Sequence, residues 1–191
     1  MSDNFSVDKY LIAHKKLIES LDAISFDNAI QIISKTISAN KKIITCGNGG
    51  SASTASHYIT DWNKMYNIYC GKKLRGISLC DNIGLITAYA NDISYDEVFS
   101  GQLKPLLDDE DLVIGISGSG NSKNVINAIE YANNNNANSL AIVGYDGGKL
   151  ISTAKHCLHI PTFDMQLCED VHLMFGHMVM KYICNTKIEN N

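Results

Sequence analysis

The chain has 191 residues, enough for one domain with a full core and short for two. Hydrophobic residues at 45% and charged residues at 19% are ordinary for a globular protein, and a formal charge of −4 argues against nucleic acid as a partner, because backbone-phosphate binding needs a concentrated basic surface. Uninterrupted apolar runs stay far below the roughly 18 residues that cross a bilayer, so no membrane partner is expected.

Residues 1–40 read as a pair of helices. Ala13, Leu17 and Leu21, then Ile30, Ile33 and Ile37, recur at helical spacing, and Ser25 or Asp27 is placed to cap the second helix. From residue 41 onward the pattern alternates. Short apolar segments at 42–46, 74–79, 111–116, 139–143 and 157–160 read as strands, and the stretches 83–90 and 121–133 between them have helical periodicity. Such alternation predicts an α/β protein, a three-layer α/β/α sandwich around a five-stranded parallel sheet of flavodoxin-like type. Ligands are then expected at the carboxyl ends of the strands. A closing helix over 167–184 carries Met174, Phe175, Met178, Met180 and Tyr182. With the first two helices it offers more apolar surface than one small sheet needs, so a homo-oligomer is expected.

Two strand ends carry loops suited to anions. The first, Thr45-Cys46-Gly47-Asn48-Gly49-Gly50-Ser51, runs from a strand through a tight turn into a helix. Glycines there let backbone approach a ligand, and the free amides of the helix start attract negative charge. The second, Ile116-Ser117-Gly118-Ser119-Gly120-Asn121-Ser122, leads into the next helix with three hydroxyls. Neither loop has the layout of a P-loop or of a dinucleotide fingerprint. Together they point to a phosphorylated small molecule.

Six residues after Ser51 stands His57, and four later Asp61. On a helix this pair shares one face, roughly 6 Å apart along the axis, which suits joint ligation of a metal or an acid–base couple. Glu169 and His177 lie eight apart in the closing segment, about 12 Å on an ideal helix. Either that helix starts after Glu169 or the ligands converge from two subunits. His172 reads as a packed structural residue, and His14, His156 and His159 have no partner pattern. The cysteines at 46, 70, 80, 157, 168 and 184 show no C-x-x-C spacing and read as reduced thiols of a cytoplasmic protein. The start, Met1-Ser2-Asp3-Asn4, lacks the layout of a signal peptide.

These residues resemble the sugar isomerase (SIS) domain family, most nearly its heptose-phosphate isomerases, over nearly the whole chain. The G-N-G-G-S turn, Asn91-Asp92, the Ser117 to Ser122 loop, Asp146-Gly147-Gly148-Lys149 and the closing helix come in the family's order. The resemblance implies a helical pair over 1–40 that serves oligomerisation and a SIS domain over 41–191. It also implies a homotetramer with active sites between subunits, one divalent metal per site, usually zinc, and conversion of D-sedoheptulose 7-phosphate to D-glycero-D-manno-heptose 7-phosphate.

Carried over residue by residue, it puts substrate binding on Asn48, Gly49, Gly50, Ser51, Asp61, Asn91, Asp92, Ser117, Gly118, Ser119, Ser122 and Glu169. The metal positions fall on His57, Asp61, Glu169 and His177, and the acid–base pair on Asp61 and His177. The chain departs from the family pattern in having Asp61 for Glu, Glu169 for Gln, Met65 for an arginine and Gln166 for an aspartate. Those departures leave two alternatives open: an isomerase of another sugar phosphate, or a non-catalytic SIS adaptor or sugar-phosphate sensor.

Overall fold

The computed structural model describes residues 5–185, so the polar start Met1 to Asn4 lies outside the described residues. In chain order the elements are α1 (Val7–Ser20), α2 (Ala23–Ser38), β1 (Lys42–Gly47), α3 (Gly50–Cys70), β2 (Arg75–Ser78), α4 (Ile83–Asp92), a 3-10 turn (Tyr95–Glu97), α5 (Ser100–Leu103), β3 (Leu112–Ser117), α6 (Lys123–Asn134), β4 (Asn138–Val143), α7 (Leu150–Thr153), β5 (His156–His159) and α8 (Met165–Ile183). The five strands are all parallel, in the order β2-β1-β3-β4-β5. This is the flavodoxin-like sandwich expected from the alternating pattern, and each predicted strand is found within a residue or two of its expected bounds.

Alternation along the strands splits the core in two. Ile43, Ile114, Ile116, Leu140, Ile142 and Leu158 face α1, α2, α3 and α8, where Leu17, Phe26, Ile33, Tyr58, Trp62 and Phe175 complete one cluster. Ile44, Cys46, Val113, Ala141 and Val143 face the other way, against Phe99, Leu103, Val125, Ile129 and Leu150. The three inner strands β1, β3 and β4 are therefore buried on both sides, as expected of a parallel sheet, and the edge strands β2 and β5 are partly exposed.

The second helix starts one turn earlier than its expected caps. Asp22, not Ser25 or Asp27, accepts the Ile24 amide at 3.1 Å, and Ser25 donates to the same carboxylate at 2.6 Å from within the first turn. Lys42 is buried at the amino end of β1. Its backbone donates to Asp111 Oδ1 at 2.7 Å and its ammonium pairs with Asp111 and Asp108, tying β1 to β3. At the other side of the sheet, Asn63 of α3 brackets Gly76 of the edge strand β2: its Nδ2 donates to the Gly76 carbonyl at 3.0 Å, and its Oδ1 accepts the Gly76 amide at 3.1 Å.

Helices α3 and α8 run parallel and touch along their length. Trp62 Nε1 donates to the Gly176 carbonyl at 2.8 Å, and the Tyr58 hydroxyl donates to the His172 carbonyl one turn earlier. A side chain at position 176 would overlap the Tyr58 ring, so only glycine allows this approach. His172 is buried, its Nε2 3.2 Å from the Cys168 sulfur, in keeping with a structural role. His14, by contrast, has a partner that its sequence context did not reveal: its Nε2 lies 3.4 Å from Asp170, which also accepts from Tyr10.

Burial pushes the His172 imidazole down to about 4 from the usual 6.5. Between those values the unfolded chain binds a proton that the native protein refuses, so stability is present above pH 6.5 and is lost as pH falls toward 4. Urea titrations from pH 7 to 4 should show a decline to which His172 contributes up to about 3 kcal/mol. A folded His172→Gln variant should show a correspondingly flatter profile.

Candidate active site

The glycine turn after β1 does what its composition promises. Gly49 sits at φ 55°, a left-handed conformation, and reverses the chain so that α3 can start at Gly50. The amides of Ala52 and Ser53 bond back to the Gly49 carbonyl, at 3.1 and 3.2 Å. The earlier amides of the helix start are left to other partners. The serine loop after β3 lies beside it, with Ser117 Oγ donating to Ser122 Oγ at 3.2 Å and the Asn121 amide to Ser119 Oγ at 3.2 Å. The loop after β4 braces it from behind: the Lys149 amide donates to Asn121 Oδ1 and the Leu150 amide to the Gly120 carbonyl, each at 3.0 Å.

Between the two loops is a cavity of about 120 Å³, lined by Asn48, Ser51, Ile116, Ser117, Gly118, Ser119, Ser122, Met165 and Glu169. The N-termini of α3, α6 and α8 converge on it, through Ser51, Ser122 and Met165. Three positive helix poles around a ring of hydroxyls form an environment for negative charge. Its volume is well under the roughly 300 Å³ of a typical small-molecule pocket, so it matches one charged group and not a whole sugar. Gly50 lies against Glu169, and a Cβ there would overlap the carboxylate.

Further along α3 and α8 lies a second group. One ligand atom each from His57, Asp61 and His177 come together, all within 4.8 Å of one another. The two imidazoles meet edge to face with centroids 5.3 Å apart and their Nε2 atoms at 3.1 Å. Two nitrogens bound to one tetrahedral zinc at about 2.0–2.1 Å stand about 3.3 Å apart, so the donor set and its spacing fit a divalent ion. Both histidines are exposed and Asp61 is half-buried.

Glu169 is not part of this trio among the described residues. The reason is helical geometry. The closing helix begins at Met165, ahead of Glu169, and runs unbroken to Ile183. The expectation that it might start after Glu169 is thus corrected: Glu169 faces the cavity at the helix's start, and His177 faces Asp61 two turns on. Asn91 and Asp92 are exposed at the end of α4, where Asn91 Nδ2 donates to Asp92 Oδ1 at 2.8 Å, and they do not line the cavity. The cysteines nearest the site are held toward the protonated thiol form. Burial raises the Cys46 and Cys80 thiols, and it pushes Cys168 to about 12 with help from the neighbouring Glu169 charge.

Three contributors escaped the sequence reading. Met165 lines the cavity, Asn124 pairs with Asn48, and Tyr95 donates to Asn48 Oδ1 at 2.9 Å. None stands in a motif. Asn124 carried one signal, a polar residue in the first turn of an otherwise apolar-faced helix.

Comparison with known proteins agrees with this geometry. Residues 9–144 match the SIS domain family. The chain is 37% identical over 177 residues to the phosphoheptose isomerase of Helicobacter pylori strain P12, covering 91% of each. To the probable phosphoheptose isomerase of Thermoplasma acidophilum it is 39% identical over 151 residues, 79% of this chain and 82% of that one. The solved structure of phosphoheptose isomerase GmhA from Neisseria gonorrhoeae superposes with a TM-score of 0.84 at 30% identity, over 92% of this chain and 93% of that one. The chain belongs to the SIS domain family, in the branch of the phosphoheptose isomerases, and is a sugar-phosphate isomerase.

Gly50 offers a test of the Glu169 contact. Its backbone is not left-handed, so Gly50→Ala should leave the melting temperature unchanged or slightly raised. The new methyl displaces the Glu169 carboxylate, and isomerase turnover should fall at least about tenfold. Melting curves and kcat measured on the same preparation check both halves.

Proposed function

We propose that this protein interconverts D-sedoheptulose 7-phosphate and D-glycero-D-manno-heptose 7-phosphate through a cis-enediol. The observation that carries the reading is the gathering of His57, Asp61 and His177 within 4.8 Å of one another, on the same helix pair whose start lines a hydroxyl-ringed anion cavity. Relatives named phosphoheptose isomerase at 35–37% identity support the seven-carbon substrate.

In this mechanism Ser117, Ser119 and Ser122, with Asn48 and Ser51, hold the phosphate, while Asn91 and Asp92 bind sugar hydroxyls. Anchoring the remote phosphate turns the proton transfer into a unimolecular event at a fixed position. Asp61 and His177 share the proton transfers at the reacting carbons. One takes the proton from C1 of the ketose and returns it to C2, and the other shuttles a proton between O1 and O2. His57, Asp61 and His177, with Glu169 brought in from the cavity or from another subunit, would hold one zinc ion. When bound, such an ion would supply Lewis acidity toward the substrate's carbonyl and hydroxyl oxygens. Asp61, shorter by one methylene than the family's glutamate, holds its carboxylate back by about 1.5 Å.

The working form in this reading is a cytoplasmic homotetramer with the active site closed by a neighbouring subunit. Both histidines of the trio are exposed, and the anion cavity alone is too small for a heptose phosphate. Apolar side chains on the helices flanking α3 also need a cover: Val7, Leu11, Ile12 and Ile18 on α1, Ile24 on α2, and Met178 and Tyr182 on α8 are exposed. Two of them, Ile18 and Met178, line a groove of about 380 Å³ together with Leu21, Phe26, Ile30 and Met174.

The departures at Asp61, Glu169, Met65 and Gln166 favour, as a second reading, an isomerase of a ketose phosphate of different length. Incubation with sedoheptulose 7-phosphate, followed by NMR for the new aldose, tests the first reading, and a panel of five- to seven-carbon ketose phosphates tests the second. Chelator should abolish turnover and zinc restore it. Asp61→Asn and His177→Gln should each lower kcat by at least about a hundredfold. A folded variant with near wild-type turnover overturns the assignment, and a protein inert on the whole panel points to an adaptor or sensor.

A further inference from the structure

Asn48 and Asn124 lock their side-chain amides together between the first anion loop and the start of α6. Asn48 Nδ2 donates to Asn124 Oδ1 at 2.8 Å, and Asn124 Nδ2 donates to Asn48 Oδ1 at 2.9 Å. Such a reciprocal pair would be equally content with both amides turned over, so a third group must choose the orientation. The choice comes from the backbone. The Val125 amide, which can only donate, lies 3.0 Å from Asn124 Oδ1. That fixes the oxygen of Asn124, hence its NH2, hence the oxygen of Asn48. The Tyr95 hydroxyl donates to that same Asn48 oxygen at 2.9 Å. Asn124 is 2% exposed, so turning it over would bury an unpaired Val125 amide against an NH2 group.

The tally at Asn48 is then one-sided. Its Oδ1 has two lone pairs and two donors. Its Nδ2 has two hydrogens, of which Asn124 takes one. Asn48 lines the anion cavity, so the group it offers an entering ligand is one N–H donor and no acceptor. We propose that Asn124 is a positioning residue that holds Asn48 as a one-way donor. The cavity then selects an oxygen acceptor, such as a phosphoryl oxygen, over a hydroxyl that must donate. The proposal deepens the phosphosugar reading of this cavity and rests on it for the identity of the ligand, but the orientation of Asn48 stands on the hydrogen bonds alone.

Two arms separate the orientation from the substrate. In the first, side-chain amide NMR of the 15N-labelled protein, with Asn48 assigned by its loss in Asn48→Ala, is followed during titration with inorganic phosphate. One of the two Asn48 protons should be protected from exchange and the other should shift with phosphate. In Asn124→Ala both should exchange freely, with phosphate affinity lower by at least about tenfold, the scale of one hydrogen bond to a charged group. In the second arm, KM for sedoheptulose 7-phosphate should rise by a similar factor in Asn124→Ala while kcat falls less than about threefold.

Asn124→Asp guards against a variant that fails to fold, because its carboxylate still accepts the Val125 amide but cannot donate to Asn48. It should melt like the wild type and yet bind phosphate weakly, at high salt as well as low. Wild-type phosphate affinity and KM in a folded Asn124 variant, with only a lowered melting temperature, would reduce Asn124 to a helix cap and overturn the proposal. If the wild type binds phosphate as described but leaves sedoheptulose 7-phosphate unchanged, the substrate reading fails and the positioning role survives.

Discussion

The parallel contact between α3 and α8 is the constraint on which the chemistry depends. Gly50 meets Glu169 at the start, Tyr58 reaches the His172 carbonyl, Trp62 reaches that of Gly176, and the Cys70 sulfur lies 3.6 Å from the carbonyl of Ile183 at the end. From Tyr58 onward each contact advances by nearly the same number of residues on both helices, so the two keep step over that stretch. His57 and Asp61 project from the first helix and His177 from the second because the buried aromatic residues between them set the register. Gly176 lets the backbones come close enough for Tyr58 and Trp62 to bond to main chain instead of to side chains, which leaves less play in the spacing. A site whose metal-type ligands come from two elements needs that rigidity, since shifts of about 1 Å cost orders of magnitude in rate.

The same helix pair separates two tasks along one furrow. Near its start, where the positive poles lie, the environment suits negative charge and holds neutral hydroxyl donors. Two turns further on, the poles have faded and imidazole and carboxylate side chains take over. In the mechanism we propose, placing the charge-binding and proton-moving groups at different heights on shared helices lets a substrate be anchored at one end and worked on at the other. Glu169 is the exception, a carboxylate lying at the start of α3 and beside Gly50. It sits where any entering anion would feel it, so the strength of anion binding reflects a competition between the helix poles and this resident charge.

Much of this was legible in the sequence, for identifiable reasons. Strands buried on both faces leave short apolar runs, and the loops that follow them announce themselves through glycine and serine. His57 and Asp61 were recognisable because a spacing of four on a helix is a contact in itself. His177 was legible only through the family resemblance, because its partner His57 is more than a hundred residues away in sequence and no local spacing joins them. The cap of α2 was misjudged since Asp22, Ser25 and Asp27 are all competent, and tertiary packing decides where the first turn closes. Tyr95 was invisible, and Asn124 showed only as a polar residue in a helix's first turn, for a different reason: their roles are set by which hydrogen bonds remain after others are filled, and no linear pattern encodes that.

The bracket that Asn63 places around Gly76 has a consequence for assembly. An open sheet normally ends in a row of unsatisfied backbone groups that invite a strand from another molecule. Here a carboxamide plays the sixth strand over one residue, giving and taking the two bonds a neighbouring chain would have made. A β-carbon on residue 76 would crowd Asn63 Oδ1 at 2.8 Å, so the glycine is part of the seal. With that position filled, a strand arriving at β2 would find the two bonds of Gly76 already made, which weakens this edge as a template for β-augmentation.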